Sequence, residues 1–206
     1  YNVERAAAAA EELKGQYTKL MTGLCQMKDI RTSLRRCAAG ETPDHVELFE
    51  IKGYLQRLDG LRPLLAEIDA VTHFKGIALH DPKPALAILD PDGTGSRGFY
   101  IPDSATAKLK EIRQAKKDVE ERLFKAATDA EKDDLRLRRT RLCAEEDAEE
   151  MHVRRTMGAA LAPMVDDLLA DAETSGRLDF IIQKALFAVR YGGIRPELTD
   201  GELELT

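Results

Sequence analysis

Apolar residues recur at helical spacing over most of the chain, beginning near its first residue. Six of them follow one another three, four or seven positions apart: Leu13, Tyr17, Leu20, Leu24, Met27 and Leu34. This spacing places the six on one side of a helix, and it predicts a single helix over residues 3–38 that is stopped by Gly40.

A second apolar stripe covers residues 48–71 at the same period. It predicts a helix with Thr42 as the N-cap residue and Pro43 in the first helical position, where a proline gives up no hydrogen bond. Gly60 and Pro63 fall inside this stripe and are expected to interrupt it.

The pattern changes between residues 80 and 102, where four prolines and three glycines stand among short apolar runs. Proline and glycine are the residues that punctuate regular structure. The segment is therefore predicted to be a loop with a small β element near residues 85–101.

Residues 104–157 have a narrow apolar stripe with charged residues in the other positions, a pattern typical of a two-stranded coiled coil. Thr128 and Glu131 have the spacing of a capping box, which predicts a break and the tip of a helical hairpin there. Residues 161–189 have wider apolar faces at helical spacing, which predict helices that pack in a core. In residues 202–205 charged and apolar residues alternate, which predicts a strand.

These elements predict a mainly α fold, a helical core from which a long antiparallel helical lever or coiled coil projects. We expect one domain over residues 1–206, in three consecutive parts. The parts are a helical core portion over 1–102, projecting helices over 103–175, and a return helix with a link over 176–206 toward a missing C-terminal domain. The absence of Met from the first position predicts that the chain is a piece of a longer protein.

Composition narrows the function classes. The 206 residues are 43% hydrophobic but only 5% aromatic, which favours helices over a sandwich or barrel. With 31 Lys and Arg against 37 Asp and Glu, the net charge of −6 excludes a uniformly basic nucleic-acid-coating protein, although not a local basic patch. Three cysteines without CxxC spacing argue against a disulfide scaffold and favour the cytoplasm. No apolar run approaches the ~20 residues of a membrane span.

Candidate chemical motifs are weak. Residues 93–98 match GxGxxG, but the sequence FYIP that follows cannot open a helix to hold a pyrophosphate. Glu149 and His152 form one Glu-x-x-His pair where a di-iron bundle needs two, and a solvated helix surface is the expected alternative.

Residues 90–101 begin like a calcium-binding loop, in which Asp90, Asp92 and Thr94 would be the first ligands. The last position of such a loop requires a bidentate Glu, and this chain has Ile101 there. We therefore predict no catalytic, cofactor or metal residues, and no enzyme activity in this chain itself.

One cluster is a candidate nucleic-acid contact. Five cations stand against two acids within ten residues: Lys132, Arg136, Arg138, Arg139 and Arg141. The four arginines surround the predicted helix, which suits phosphate contacts at an exposed tip better than reading of a groove. Five acids within residues 145–150 offer the alternative of a coiled-coil surface covered with ion pairs and no DNA role.

Several segments resemble the core, or lever, domain of MutS-type DNA mismatch-repair ATPases. Residues 29–36 (DIRTSLRR), 46–52 (VELFEIK) and 103–104 look like the opening of that domain. Residues 178–185, with LD and KA, and residues 195–198 (RPEL) look like the segment that hands over to the ATPase domain.

The resemblance implies a helical lever that joins a C-terminal ATPase domain, with ATP and Mg²⁺, to a clamp around double-stranded DNA in a homodimer. It also implies a cytoplasmic, nucleoid-associated protein. Only about 75 residues separate Asp103 from Leu178, too few for a separate clamp, so the chain resembles a clamp-reduced subfamily. The alternative is a structural or adaptor coiled coil that binds a protein partner.

Overall fold

The computed structural model describes residues 1–96 and 98–193. Within these ranges all regular structure is helical, and the mainly α prediction is confirmed. Two 3₁₀ turns, Asp103–Ala105 and Ala162–Met164, accompany the α-helices. The α-helices are α1 (Asn2–Ala8), α2 (Lys14–Cys25), α3 (Arg31–Ala38), α4 (His45–Thr72), α5 (Lys83–Leu89), α6 (Ala107–Lys125), α7 (Asp129–Leu161) and α8 (Val165–Tyr191).

The contacts between residues divide the chain into two compact units. The first unit contains residues 1–26, residues 60–79 and the described part of 173–206. The second unit contains residues 27–59 and 80–172. Helices α4 and α8 thus contribute residues to both units, whereas the predicted division into three consecutive parts of one domain stays a prediction.

The first unit packs α1 and α2 around small and apolar side chains. The Tyr17 hydroxyl, buried in α2, donates a 3.0 Å hydrogen bond to the carbonyl of Ala6 in α1. A Cβ on Gly23 would lie 2.6 Å from the nearest Leu61 methyl carbon, so the absence of a side chain at Gly23 lets α2 approach α4 here.

The prediction of one helix over residues 3–38 was wrong, because three helices cover this stretch. Residues 9–13 and 26–30 connect the three helices, and Leu13 and Ile30 in these connections are buried. The apolar spacing therefore continues across both connections. At the second break Asp29 accepts hydrogen bonds from the Arg31 N–H at 3.1 Å and from its guanidinium. Gly40 follows the third helix at a φ of +78°, as its stop role predicted.

Helix α4 begins at His45, two residues after Pro43, which the sequence predicted as the first helical position. The capping box is Asp44 with Glu47, in which each side chain accepts the other residue's backbone N–H at 2.8 Å. Thr42 and Pro43 therefore precede the helix, which corrects their predicted roles. The expected interruption also fails, because α4 continues through Gly60 and Pro63.

The predicted β element near residues 85–101 was wrong as well. Residues 83–89 form α5, which starts after Pro82 with Pro84 near its N-terminus, where a missing N–H costs little. No strand is found among residues 90–96 and 98–101. Two buried residues of the segment, Ala85 and Leu89, face the core of the second unit from a helix instead of a strand.

Helices α6 and α7 form a helical hairpin, as the charged coiled-coil pattern predicted. Thr106 caps α6 by accepting the Leu109 N–H, and Thr128 caps α7 by accepting the Glu131 N–H. The predicted capping box position is thus confirmed as the start of α7. Because only residues 126–128 separate the helices, they lie antiparallel and against each other.

Candidate nucleic-acid interface

An apolar seam joins α6 to α7. Leu109, Ile112 and Val119 are buried on α6, and Leu135 and Val153 are buried on α7. On α6 these residues lie three and seven positions apart, and the two on α7 lie 18 positions, or five helical turns, apart. Each helix therefore presents one narrow stripe to the other. The remaining positions are largely charged, and the seam supplies the apolar contact of the hairpin.

A buried arginine fixes the two helices at the base of the hairpin. Arg113 of α6, 7% exposed, contacts Glu146 of α7 at 2.9 Å and Glu150 at 2.7 Å. The same guanidinium donates to Asp103 at 2.5 Å and to the carbonyl of Ile101 at 2.8 Å. We call Arg113, Asp103, Glu146 and Glu150 the hairpin root.

The root is charged despite its burial. Burial opposes the charged form of Arg113, but its hydrogen bonds to Asp103, Glu150 and Glu146 outweigh that effect and raise its pKa. Burial likewise raises the pKa of Glu146, and hydrogen bonds from Lys116 and Arg113 reverse the balance and lower it. The contacts therefore favour the charged forms of Arg113 and Glu146, and hydrogen bonds between charged groups fix the register of α6 against α7 more strictly than an apolar contact would.

A second polar contact lies one turn further from the hairpin tip. Glu149 is buried, and its carboxylate accepts from the Thr106 hydroxyl at 2.8 Å and from Lys108 at 2.9 Å. The hydrogen bond from Lys108, then that from Thr106, holds its pKa below the usual range. The expectation that Glu149 belongs to a solvated helix surface was therefore wrong, whereas His152 is exposed.

The five predicted cations lie on the part of α7 that follows the hairpin tip. Three of them pair with acids: Lys132 with Asp129 at 3.7 Å, Arg136 with Asp133 at 3.0 Å, and Arg139 with Glu120 of α6 at 2.8 Å. These pairs are exposed, and pairs of this kind hold their side chains weakly. The structure therefore brings the cluster together on one helix but neutralises more than half of it locally.

Arg138 and Arg141 differ from the other three. Both are exposed, and neither has a carboxylate within 4.0 Å among residues 1–96 and 98–193. They are three positions apart on α7, so the two side chains leave the same side of the helix. Two adjacent guanidinium groups with free donors are the part of the predicted cluster that is available to a phosphate.

The hairpin root is the arrangement that sequence reasoning missed. Arg113 stands in a run of charged residues and looks like another solvated position. A usable signal was its place between Ile112 and Lys116 on the stripe side of the predicted helix, with Glu146 and Glu150 four positions apart.

The loop with the calcium-like start is organised by protein groups. The Asp90 carboxylate accepts from the Thr94 hydroxyl at 2.9 Å and from the Gly95 N–H at 2.8 Å, with Lys52 at 3.4 Å. Burial raises the pKa of Asp90, and these three donors outweigh it and lower the pKa. No group of three potential ligands for a metal lies within the part of the chain that the structure describes.

Comparison with known protein families and with curated proteins finds no match for this chain. Across the described ranges, no helix is both long enough and apolar enough to cross a membrane.

Proposed function

We propose that this chain is the lever domain of a MutS-like ATPase and that its α6–α7 hairpin relays movement between DNA and a downstream nucleotide-binding domain. In this proposal the chain has no catalytic activity of its own. ATP and Mg²⁺ belong to the downstream domain, and the parent is a homodimer associated with DNA in the cytoplasm. The proposal extends the family resemblance of residues 29–36 and 178–185 to the hairpin.

The observation that supports a lever is the hairpin root. A projection transmits displacement only if its two helices move as one body, and Arg113 ties α6 to α7 through Glu146 and Glu150. The apolar seam continues this connection toward the tip at Val119 and Leu135. Packed helices of this kind move as rigid bodies in domain motions.

The observation that supports DNA contact is the free pair Arg138 and Arg141. Duplex DNA presents a dense array of phosphates, and each arginine that neutralises one releases condensed counterions. Since the net charge is −6, contact is expected to be confined to this pair and its neighbours. Such contact positions DNA without reading its sequence.

The test is the binding of a fluorescent DNA duplex, followed by anisotropy over a salt series. We expect measurable binding at low salt, and changing Arg138 and Arg141 to Gln should weaken it and make the salt slope shallower by about 0.9 per lost contact. Arg155→Gln is the matched control, because Arg155 is an exposed arginine on the same helix, about 21 Å along its axis from Arg141. Absence of binding at low salt would contradict the DNA contact.

The rival function, an adaptor coiled coil, has a specific observation in its favour. Leu137 and Met151 are exposed on α7 and lie 14 positions, or two heptads, apart, with Ala144 midway. A partner helix could lie along this line. Failure to bind DNA, together with capture of a partner that Leu137→Glu abolishes, would favour the adaptor.

A further inference from the structure

Helix α8 carries exposed aromatic residues along one side of its C-terminal half. Phe180, Phe187 and Tyr191 are 63%, 64% and 63% exposed, in a chain with few aromatic residues. Their spacing of seven and four positions places all three on the same side of the helix. We call these three residues the aromatic stripe; it belongs to the first unit.

Two cations are already associated with the stripe. The Lys184 ammonium lies 5.6 Å from the centre of the Phe180 ring, and the Arg190 guanidinium lies 5.5 Å from that of Tyr191. The rings of Phe187 and Tyr191 contact each other with their centres 4.6 Å apart. The stripe is thus an ordered surface with an aromatic centre and positively charged groups beside it.

The size of the stripe suits a contact between proteins. At these exposures each ring leaves roughly 120 Å² accessible, so the stripe presents about 360 Å², comparable with the largest apolar patch of a typical monomer. Two copies face to face would bury about 720 Å² from the rings alone. The ~1,200 Å² at the lower end of stable interfaces then requires about 240 Å² more from the neighbouring side chains of each copy.

The order of residues along the stripe is self-complementary. Positions 180, 184, 187 and 191 are separated by four, three and four residue positions, so the spacing is the same in both directions along the helix. Antiparallel pairing about a two-fold axis between residues 185 and 186 therefore places Phe180 opposite the partner's Tyr191. The same axis places Lys184 opposite the partner's Phe187, an aromatic face for a cation instead of a second cation.

From this register we propose that the occupant of the aromatic stripe is a second copy of this chain, bound through antiparallel α8 helices. The proposed function already includes a homodimer, and this inference adds the surface through which the two copies bind; it does not depend on DNA binding, because it uses α8 alone. Each dimer then contains two Lys184–Phe187 contacts across the two-fold axis and two aromatic pairs outside them.

The test is sedimentation equilibrium of the full chain over a wide dilution series. We expect a reversible monomer–dimer equilibrium, and Phe187→Glu should raise the dissociation constant by about tenfold or more because a carboxylate replaces a central ring. Lys184→Glu should also raise it, since a carboxylate is repelled by the face of the opposing ring. Phe124→Glu is the matched control, because Phe124 is 93% exposed on α6 in the second unit and lies outside the stripe.

Circular dichroism checks that each variant stays helical, which the exposure of Phe187 leads us to expect. A chain that stays monomeric at every concentration would overturn the proposal and leave the stripe to another segment or another protein. Equal dimerisation of the wild type and Phe187→Glu would overturn it too, since the dimer would then use a different surface.

Discussion

Arg113 and Glu150 join the two helices of the hairpin through a 2.7 Å contact between a guanidinium and a carboxylate. Glu150 also lies 3.3 Å from the His45 ring at the start of α4. The hairpin root is thereby connected to the N-terminal end of α4, all within the second unit. Loss of this contact should be felt both in the stability of the unit and in the coupling of the hairpin to it.

Replacement of Arg113 by Gln should lower the free energy of unfolding by about 1.5–3 kcal/mol, because the partly buried carboxylates of Glu146 and Glu150 lose its charged hydrogen bonds. Urea denaturation followed by circular dichroism measures the change. Combining Arg113→Met with Glu146→Gln and Glu150→Gln should recover part of the loss, since the two partly buried carboxylates on α7 are then neutral as well. Arg122→Gln, at an exposed position of α6, is the control and should change stability by less than about 0.5 kcal/mol. Equal effects of Arg113→Gln and Arg122→Gln would contradict a structural role for the root.

Two glycines in helices should respond in opposite directions to alanine. A Cβ on Gly158 of α7 would lie 2.8 Å from the Pro43 ring, which cannot rotate away, so Gly158→Ala should destabilise by about 1–3 kcal/mol. Gly60 of α4 has no atom within 4 Å of such a Cβ, so Gly60→Ala should stabilise by up to ~1 kcal/mol through helix propensity. Thermal melts of both variants give the sign. A stabilised Gly158→Ala would show that α7 does not approach Pro43 as closely as described.

His80 should make the stability of the second unit depend on pH. The buried Asp171 carboxylate accepts from the His80 backbone N–H and contacts the ring Nδ1, both at 2.9 Å. The hydrogen bond between the Asp171 carboxylate and the imidazole, together with the charges of Asp171 and Asp167, raises the pKa of His80. Because the folded pKa lies above the unfolded value, the stabilisation is full below about pH 6.5 and is lost as the pH rises through the raised pKa.

The corresponding measurement compares the wild type with His80→Gln. Their difference in unfolding free energy should be largest below about pH 6.5 and should shrink as the pH rises through the raised pKa of the folded state. The same comparison with His152→Gln, at an exposed histidine, is the control substitution. A difference that is constant across this range would mean that the charged form of His80 is not what Asp171 stabilises.

The features that depend on local chemistry alone were predictable from the sequence. Thr128 and Glu131 predicted the start of α7, because the hydroxyl of an N-cap residue accepts a hydrogen bond from a backbone N–H in the first turn of its own helix. Gly40 stops α3 because a positive φ suits a residue without a Cβ. The apolar stripe of α6 predicted the seam for the same kind of reason, since the helical period is a property of the backbone.

One error arose where distant residues decide, and another arose from a choice between two local caps. The helix Lys83–Leu89 contains Pro84 and follows Pro82, which argues for a loop, and burial of Ala85 and Leu89 stabilises it. The capping box at Asp44 and Glu47 overrode Thr42, because two reciprocal hydrogen bonds satisfy more donors than one. The predicted strand over residues 202–205 and the RPEL segment of residues 195–198 lie outside the described residues.

The sequence by itself determined the helical class, the position of the hairpin tip and the basic segment of α7, because these depend on period, capping and composition. The tertiary structure decided which charges are free. Arg113 is buried among Asp103, Glu146 and Glu150, while Arg138 and Arg141 stay exposed without a carboxylate within 4.0 Å in the described ranges. The physical reason is that an ion pair depends on the distance between side chains on different helices, and only the packing of α6 on α7 sets that distance.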